Sequence, residues 1–148
     1  MTTRLAPPAP ARRTTVAAAV LLALLVTLLV PATARAADAG AEQAFVAAVN
    51  RERAAAGLPA LSVADDLVAV ARRHAVRMAD ADDLHHNPNL GGEVSGWQKV
   101  GENVGRGPSV DPIHRAFMES PGHRQNILDG AWTEVGIGVE VRDGTMWV

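Results

Sequence analysis

Histidine and glutamate side chains are concentrated in three short segments of this sequence. Residues 85–90 read HHNPNL, residues 101–105 read GENVG, and residues 120–128 read SPGHRQNIL. Imidazole and carboxylate groups are the side chains that bind zinc-like metals or transfer protons near neutral pH. His86, Glu102 and His123 are therefore the candidate site residues, and their types predict a divalent-metal site or a proton-transfer site.

The same residues also have structural interpretations. Glu102 lies between glycines, and its side chain could satisfy the backbone groups of a turn. His123 is expected in the first turn of a helix, where the backbone dipoles favour the neutral imidazole that a metal requires. Its ring could equally tie two loops together. His85 is an alternative to His86, because adjacent residues of an extended loop point in different directions.

The remaining histidines and the nearby serine are predicted to be structural. His74 falls on the apolar stripe of a helix, and His114 lies three residues before Phe117 on another. Ser120 precedes Pro121, so it is expected to cap a new helix with its hydroxyl engaged by backbone amides. No activated nucleophile is therefore predicted.

Two helices are expected to precede the loops that carry these residues. Residues 42–56 are rich in alanine, with apolar residues on one side and Gly57 as the stop signal. Ser62 begins a possible capping box, and apolar residues recur at helical spacing up to Ala79. Residues 80–112 are dominated by Pro, Gly, Asn and Asp, which predicts a long functional loop region.

The second half of the chain changes from helices to strands. A helix is predicted over residues 109–118, and a short one begins at Pro121. Residues 135–141 alternate with period two and are followed by Asp143 and Gly144, which predicts a hairpin. Helices first and strands last indicate the α+β class. Gly136 and Gly138 are expected to allow close packing of another backbone.

The N-terminal residues resemble an export signal. Arg4, Arg12 and Arg13 precede an apolar run over residues 16–30 that is shorter than the roughly 20 residues of a membrane span. Cleavage is predicted after Ala36, so that residues 1–36 form a signal peptide and the protein is secreted. Retention of this segment as an N-terminal anchor is the alternative. Residues 37–40 are then a flexible lead and residues 41–148 the domain.

Composition restricts the remaining classes. All 16 acidic residues follow Ala36, whereas four of the 14 basic residues precede it, so the exported part is acidic. An acidic domain has no nucleic-acid footprint. The length suits one domain, and the absence of cysteine means that packing must stabilise it without disulfides.

The motifs together resemble the CAP superfamily, in its cysteine-free bacterial SCP-like form. The resemblance covers residues 41–148 and rests on ordered segments that include the site motifs. They are NRER at 50–53, GLPAL at 57–61, HNP at 86–88, GENV at 101–104, SPGHRQNIL at 120–128 and VGIGV at 135–139. The resemblance implies a three-layer α-β-α sandwich with a central antiparallel sheet.

The resemblance also implies a cleft lined by two histidines and two glutamates. His86, Glu102 and His123 match three of those positions, and the implied cofactor is a divalent metal such as zinc. At the fourth position this chain has Ser120 where relatives of the eukaryotic branch have glutamate. Glu119 and Glu134 are the two candidates to replace it.

Three functions are compatible with this reading. The leading one is an extracellular binding module for a divalent metal, a small polar or lipid-like ligand, or a cell-envelope component. The second is a metal-assisted hydrolase in which Glu102 is the general base for a metal-bound water. The third is a secreted scaffold whose polar cluster locks the loops. Catalysis, the ligand and the oligomeric state stay open at this point.

The C-terminal strand carries one further expectation. Bacterial relatives continue past the Trp-Val pair at residues 147–148, so the last strand is expected to be incomplete. A fragment and a genuine terminus are both compatible with this pattern.

Overall fold

The computed structural model describes residues 38–148. The predicted signal peptide, its cleavage after Ala36 and residue 37 of the predicted lead lie outside the described residues. Within residues 38–148, no helix is both long and apolar enough to cross a membrane. Five helices and five short strands follow one another in this part of the chain, which is the α+β pattern.

The first helix, α1 (Ala39–Ala55), is capped by a residue that precedes the predicted start. The Asp38 carboxylate accepts the backbone N–H of Ala41 at 3.0 Å, so the helix begins three residues earlier than expected. Phe45 and Val49 lie one turn apart on its buried face. The chain leaves the helix through Gly57, whose φ of 71° is the left-handed conformation that glycine adopts without strain.

The second helix, α2 (Asp65–Ala81), lacks the predicted capping box. Ser62 instead lies in strand β1 (Ser62–Val63), and Ala64 occupies the cap position with no side-chain capping bond. Two acidic residues in the first turn complement the helix dipole. Val70, His74 and Met78 recur at four-residue spacing and are buried, as the apolar stripe predicts.

The predicted loop region contains a one-turn helix, α3 (Leu90–Glu93), and strand β2 (Arg106–Gly107). Helices α4 (Val110–Glu119) and α5 (Pro121–Ile127) follow close to their predicted positions. Ser120 stands between them in the N-cap position of α5, but its side chain makes no capping hydrogen bond. The expectation that backbone amides engage its hydroxyl was therefore wrong.

Two small sheets contain the strands. Strand β1 pairs in parallel with β3 (Glu134–Val135), and β5 (Thr145–Trp147) lies between β2 and β4 (Glu140–Arg142) in an antiparallel sheet. The hairpin between β4 and β5 turns through Asp143 and Gly144, with φ values of 49° and 75°. Two positive φ values are what a two-residue hairpin turn needs, so this prediction is confirmed.

The strand predicted over residues 135–141 is split into β3 and β4, yet its side chains alternate throughout. Val135, Ile137 and Val139 pack with the cluster around Phe45. Gly136 and Gly138 face the opposite way, and a Cβ at either position would collide with the backbone of α2. The glycines therefore permit the close backbone approach that the sequence predicts.

Apolar clusters cover both faces of strand β5. Met146 packs with residues of α1, α4 and α5, whereas its neighbour Trp147 packs with Met78 and Ala79 of α2 and with Val104. Successive strand residues point to opposite faces, so the two clusters lie on opposite sides of β5.

A buried arginine joins the end of α1 to the chain that follows α5. Arg53 is 0 % exposed. Its guanidinium donates to four backbone carbonyls, those of Pro59 at 2.9 Å, Ile127 at 2.9 Å, Asp129 at 2.8 Å and Trp132 at 3.4 Å. Among residues 38–148 no carboxylate forms a salt bridge with it. The four carbonyl dipoles therefore stabilise the charge, which requires the planar, five-donor geometry of arginine.

Replacing Arg53 by lysine is expected to lower the free energy of unfolding by roughly 2–4 kcal/mol, because an ammonium cannot reach four carbonyls and leaves buried acceptors unpaired. Chemical denaturation measures this difference. Arg51→Lys is the matched control, since Arg51 is exposed on the same helix and should change stability by less than about 0.5 kcal/mol. Equal effects of the two substitutions would contradict the proposed role of Arg53.

Gly138→Ala is expected to destabilise the fold by about 1–3 kcal/mol, since the added methyl group meets the α2 backbone and one element must move. The melting temperature is the measurement. Gly122→Ala is the control, because a Cβ there meets no atom within 4 Å and alanine favours the helix that contains it. A Gly138→Ala protein that melts with the wild type would refute the close approach.

Candidate functional site

The three predicted site residues come from three different segments. His86 follows α2 on the loop before α3, Glu102 lies on the loop before β2, and His123 is in the first turn of α5. Glu102 lies at the centre. Its side chain is 16 % exposed, and the nearest histidine nitrogens belong to His86 on the solvent side and His74 on the core side.

The Glu102 carboxylate is held by the backbone next to His86. The N–H of Asn87 donates to both oxygens, at 2.9 and 3.0 Å. His86 Nδ1 lies 3.6 Å from Oε2, and the His86 side chain is 64 % exposed. A carboxylate oxygen has two lone pairs, so Glu102 keeps acceptor capacity beyond these contacts. The structural role predicted for Glu102 and a binding role are therefore compatible in one side chain.

His74 forms the inner wall of the site. It is buried, and its Nε2 lies 2.8 Å from the carbonyl oxygen of His85 and 3.9 Å from Glu102 Oε2. A carbonyl only accepts, so Nε2 carries the hydrogen and Nδ1 is left to accept from Arg77 at 3.4 Å. The prediction that His74 is a hydrogen-bonded core residue is confirmed, but helical spacing did not reveal that Glu102 lies beside it.

Of the two adjacent histidines, His86 is the one that faces Glu102. His85 Nδ1 contacts Asp83, with the carboxylate at 3.3 Å and the carbonyl oxygen at 3.1 Å. The ring of His85 meets His74 edge-on, with centroids 5.2 Å apart. Its carbonyl oxygen accepts a hydrogen bond from His74 Nε2, so His85 helps to position the loop through its backbone.

A pair of asparagines connects the Glu102 loop to α5. Asn126 Nδ2 donates to the carbonyl oxygen of Glu102 at 3.1 Å and to Asn103 Oδ1 at 3.0 Å. Asn103 Nδ2 donates in turn to the carbonyl oxygen of His123 at 3.1 Å. Trp132 Nε1 donates to the Asn126 carbonyl oxygen at 2.8 Å. These asparagines stand inside the motifs GENV and SPGHRQNIL, although their roles were not predicted.

His123 is half-buried beside Phe117, with ring centroids 5.0 Å apart. Burial lowers the pKa of His123, and the charge of His86 lowers it further. Both effects favour the neutral ring, because burial penalises the cation and a second imidazolium repels it. The charge of His86 therefore acts on the His123 ring across the site.

The two glutamates predicted to complete the set make no polar contact with it among the described residues. Within residues 38–148, no hydrogen bond or ion pair joins Glu119 or Glu134 to His86, Glu102 or His123. In the same part of the chain, no three His, Asp or Glu side chains lie close enough together to hold a metal ion. The side chains as they stand therefore do not form a preformed metal centre, and zinc binding by these residues stays a prediction.

Proteins that are extracellular or on the outer surface share this fold. A crystal structure of an extracellular protein containing an SCP domain from Bacillus anthracis is 27% identical, with a TM-score of 0.64, over 73% of this chain and 39% of that one. An outer surface protein of Borrelia burgdorferi is 14% identical, with a TM-score of 0.65 over 74% of this chain and 90% of that chain. The second likeness concerns the fold alone.

The family follows from the sequence match. The model of the cysteine-rich secretory protein family, CAP, matches residues 46–148, and the chain belongs to this family. The uncharacterized protein YkwD of Bacillus subtilis is 30% identical over 115 residues, which cover 72% of this chain and 44% of YkwD. The chain thus spans less than half the length of that relative. This chain contains no cysteine, as in the cysteine-free branch that the sequence predicts. The match to the CAP family model confirms the family resemblance.

Replacing His86 by glutamine should raise the pKa of His123 part of the way to its ordinary value near 6.5, because the charge is removed while the larger effect of burial remains. NMR titration of the imidazole protons measures the shift. His85→Gln is the control and should leave His123 unchanged. An unaltered His123 pKa in His86→Gln would show that the two rings do not interact.

The lowered pKa of His123 also makes the stability of the fold depend on pH. Because the pKa of His123 is lower in the folded protein than in the unfolded chain, the folded ring takes up its proton only at a lower pH. The free energy of unfolding therefore falls as the pH drops below about 6.5, and it levels off below the folded pKa. The protein with His123→Gln should lose less stability over that range than the wild type.

Proposed function

We propose that this protein works outside the cell as a CAP-domain binding module, and that the cleft formed by His86, Glu102 and His123 takes a small ligand rich in N–H and O–H donors. The observation that carries the proposal is the Glu102 carboxylate. It is oriented by the Asn87 amide and largely desolvated, yet it keeps acceptor capacity toward the exposed His86.

The chemistry of the cleft favours donor-bearing ligands. A carboxylate held in a partly desolvated site binds N–H and O–H groups more strongly than one in open water. The neutral form of His123, favoured by the lowered pKa, can either donate or accept a hydrogen bond. Amino sugars of the cell envelope present both hydroxyl and amide groups, so they are the ligand class that we propose.

Extracellular localisation rests on two lines of support. The N-terminal residues have the charge and apolar pattern of an export signal. Relatives of similar fold are described as extracellular or outer-surface proteins.

The three-layer α-β-α arrangement belongs to the same proposal. The opposite packing of Met146 and Trp147 supports it, because one cluster draws on α1, α4 and α5 and the other on α2. Helices on both faces of the antiparallel sheet would hold the loops of the cleft at one edge.

Calorimetric titration with soluble N-acetylglucosamine oligosaccharides tests the proposal. Glu102→Gln should weaken binding at least about tenfold, which corresponds to roughly 1.4 kcal/mol, because one charged acceptor is lost while glutamine can still accept the Asn87 amide. Glu119→Gln is the matched control and should bind as the wild type does. Thermal melts of each variant separate a loss of binding from a loss of folding.

A parallel zinc titration distinguishes the other candidate functions. Zinc binding that disappears in His86→Ala and His123→Ala, with unchanged melts, would replace the proposal by a metal site formed on rearrangement. Failure to bind either probe, with His123→Ala melting lower than the wild type, would make the cluster a structural lock of the loops.

A further inference from the structure

Helix α4 carries a buried histidine whose ring nitrogens have no hydrogen-bond partner. His114 is 8 % exposed, and both Nδ1 and Nε2 are closed to solvent and unbonded within the part of the chain that the structure describes. A neutral imidazole has one donor and one acceptor, and each costs free energy when it is buried unpaired. Such a pair of atoms in a folded protein calls for an explanation. The apolar spacing of α4 predicts a structural histidine but does not explain the missing partners.

A carboxylate of α1 stands just beyond hydrogen-bond range of this ring. Glu52 Oε1 lies 3.7 Å from His114 Nε2, whereas a charged N–H donor and a carboxylate oxygen are roughly 2.7–2.9 Å apart when bonded. The Glu52 side chain is 41 % exposed and has room to turn, while that of His114 is 11 % exposed and is held by its surroundings. A shift of the Glu52 carboxylate by about 1 Å would complete the bond.

Helix α4 is firmly seated on its other side. A Cβ at Gly105 would lie 2.9 Å from the Phe117 ring, and one at Gly107 would lie 2.9 Å from Ile113. The side chains on either side of His114 in sequence therefore rest directly on the backbone at β2. The contact with α1 at His114 is left incomplete, and its closure falls to the exposed Glu52 side chain rather than to a movement of the helix.

Glu52 is the charged group that faces His114. It is the carboxylate that lies within 4 Å of a His114 nitrogen among residues 38–148. Helices α1 and α5 and strand β2 pack against α4. Four charged or titratable groups on these elements have other neighbours, namely Glu42 with Arg72, Arg53 with backbone carbonyls, Arg106 with Asp82 and His123 with Phe117. The remaining charged residues of α1, α4 and α5 are exposed: Arg51, Asp111, Arg115, Glu119 and Arg124.

Protonation changes what this contact can do. Histidine is the side chain whose charge changes between about pH 5 and 8. A neutral ring offers Glu52 one ordinary N–H donor, whereas the imidazolium forms a hydrogen bond to a carboxylate that is roughly twice as strong. A buried cation without a partner is costly, so the charged ring has a much stronger requirement for Glu52 than the neutral ring has.

We propose that His114 and Glu52 form a proton-operated latch between α4 and α1. The contact is open while the ring is neutral, and it closes to a charge-assisted hydrogen bond when the ring gains a proton. Closure offsets the cost of burying the cation, so the interface between α1 and α4 tolerates acid. The stabilising effect of Glu52 is present while His114 is charged and is lost as the pH rises and the ring becomes neutral. It opposes the loss of stability that His123 causes on acidification, and it does not depend on any ligand of the cleft.

Chemical denaturation of the wild type, Glu52→Gln and Glu119→Gln at about pH 5.5 and about pH 8 tests the latch. Glu52→Gln should raise the equilibrium constant for unfolding at least about fivefold at the lower pH and less than about twofold at the higher, because it removes the charge that pairs with the imidazolium and keeps the size of the side chain. Glu119→Gln is the matched control, since Glu119 is an exposed carboxylate on α4. Its effect should be the same at both pH values.

Two further measurements identify His114 as the group that titrates. The chemical shifts of its ring nitrogens should report a neutral imidazole at about pH 8 and a cation at about pH 5.5. In a His114→Phe background, Glu52→Gln should have the same effect at both pH values, because that position no longer takes up a proton. If His114→Phe does not fold, the ring shifts of Glu52→Gln decide the case, and less of its His114 should be charged at about pH 5.5 than in the wild type.

Several outcomes would overturn the proposal. A His114 ring that stays neutral at about pH 5.5 would do so, as would an equal effect of Glu52→Gln at the two pH values, which would describe an ordinary hydrogen bond. An equally pH-dependent effect of Glu119→Gln would assign the difference to net charge. Persistence of the pH dependence in the His114→Phe background would assign it to another group. None of these variants changes a residue of the cleft, so the latch and the cleft proposal fail separately.

Discussion

A buried arginine held by backbone carbonyls sets the constraint on which this fold depends. The Arg53 guanidinium is surrounded by four carbonyl oxygens from two separate stretches of chain. Removing a charge from water is costly, and the hydrogen bonds to the four acceptors offset that cost. The end of α1, the Pro59 turn and the segment after α5 are thereby fixed relative to one another. Asn50 adds two hydrogen bonds to Leu61 in the same region.

The contacts of Arg53 also help to position the loop that carries Glu102. Arg53 holds the carbonyl oxygens of Ile127 and Trp132, and the Trp132 ring holds Asn126. Asn126 then fixes the loop that carries Glu102. A chain of hydrogen bonds thus runs from a helix end to the cleft, and each link orders a loop that has little regular structure of its own. Glu42 makes a similar connection elsewhere, because it binds Arg72 of α2 and the backbone N–H of Val139.

The prediction of elements from sequence was accurate where local patterns suffice. Helical spacing located α1, α2 and α4 to within a few residues, and Asp143 with Gly144 located the hairpin turn. Two capping predictions failed. Ser62 pairs with Glu134 in a sheet, and the Ser120 side chain makes no capping bond. A capping pattern describes only the hydrogen bonds that a residue can make locally. Ser62 instead forms backbone pairing with a strand distant in sequence, which the local pattern does not reveal.

By itself, the sequence determined the family and the α+β class, because these depend on motifs and periodicity that are local in the chain. It predicted His86, Glu102 and His123 as candidate site residues without fixing their distances. Tertiary structure alone decided that the Asn87 amide holds Glu102, that His74 lies behind it, and that no hydrogen bond or ion pair joins Glu119 or Glu134 to His86, Glu102 or His123. It also decided that residues 135–141 form a ladder only at their ends. Each of these contacts joins segments far apart in sequence, and packing brings them together.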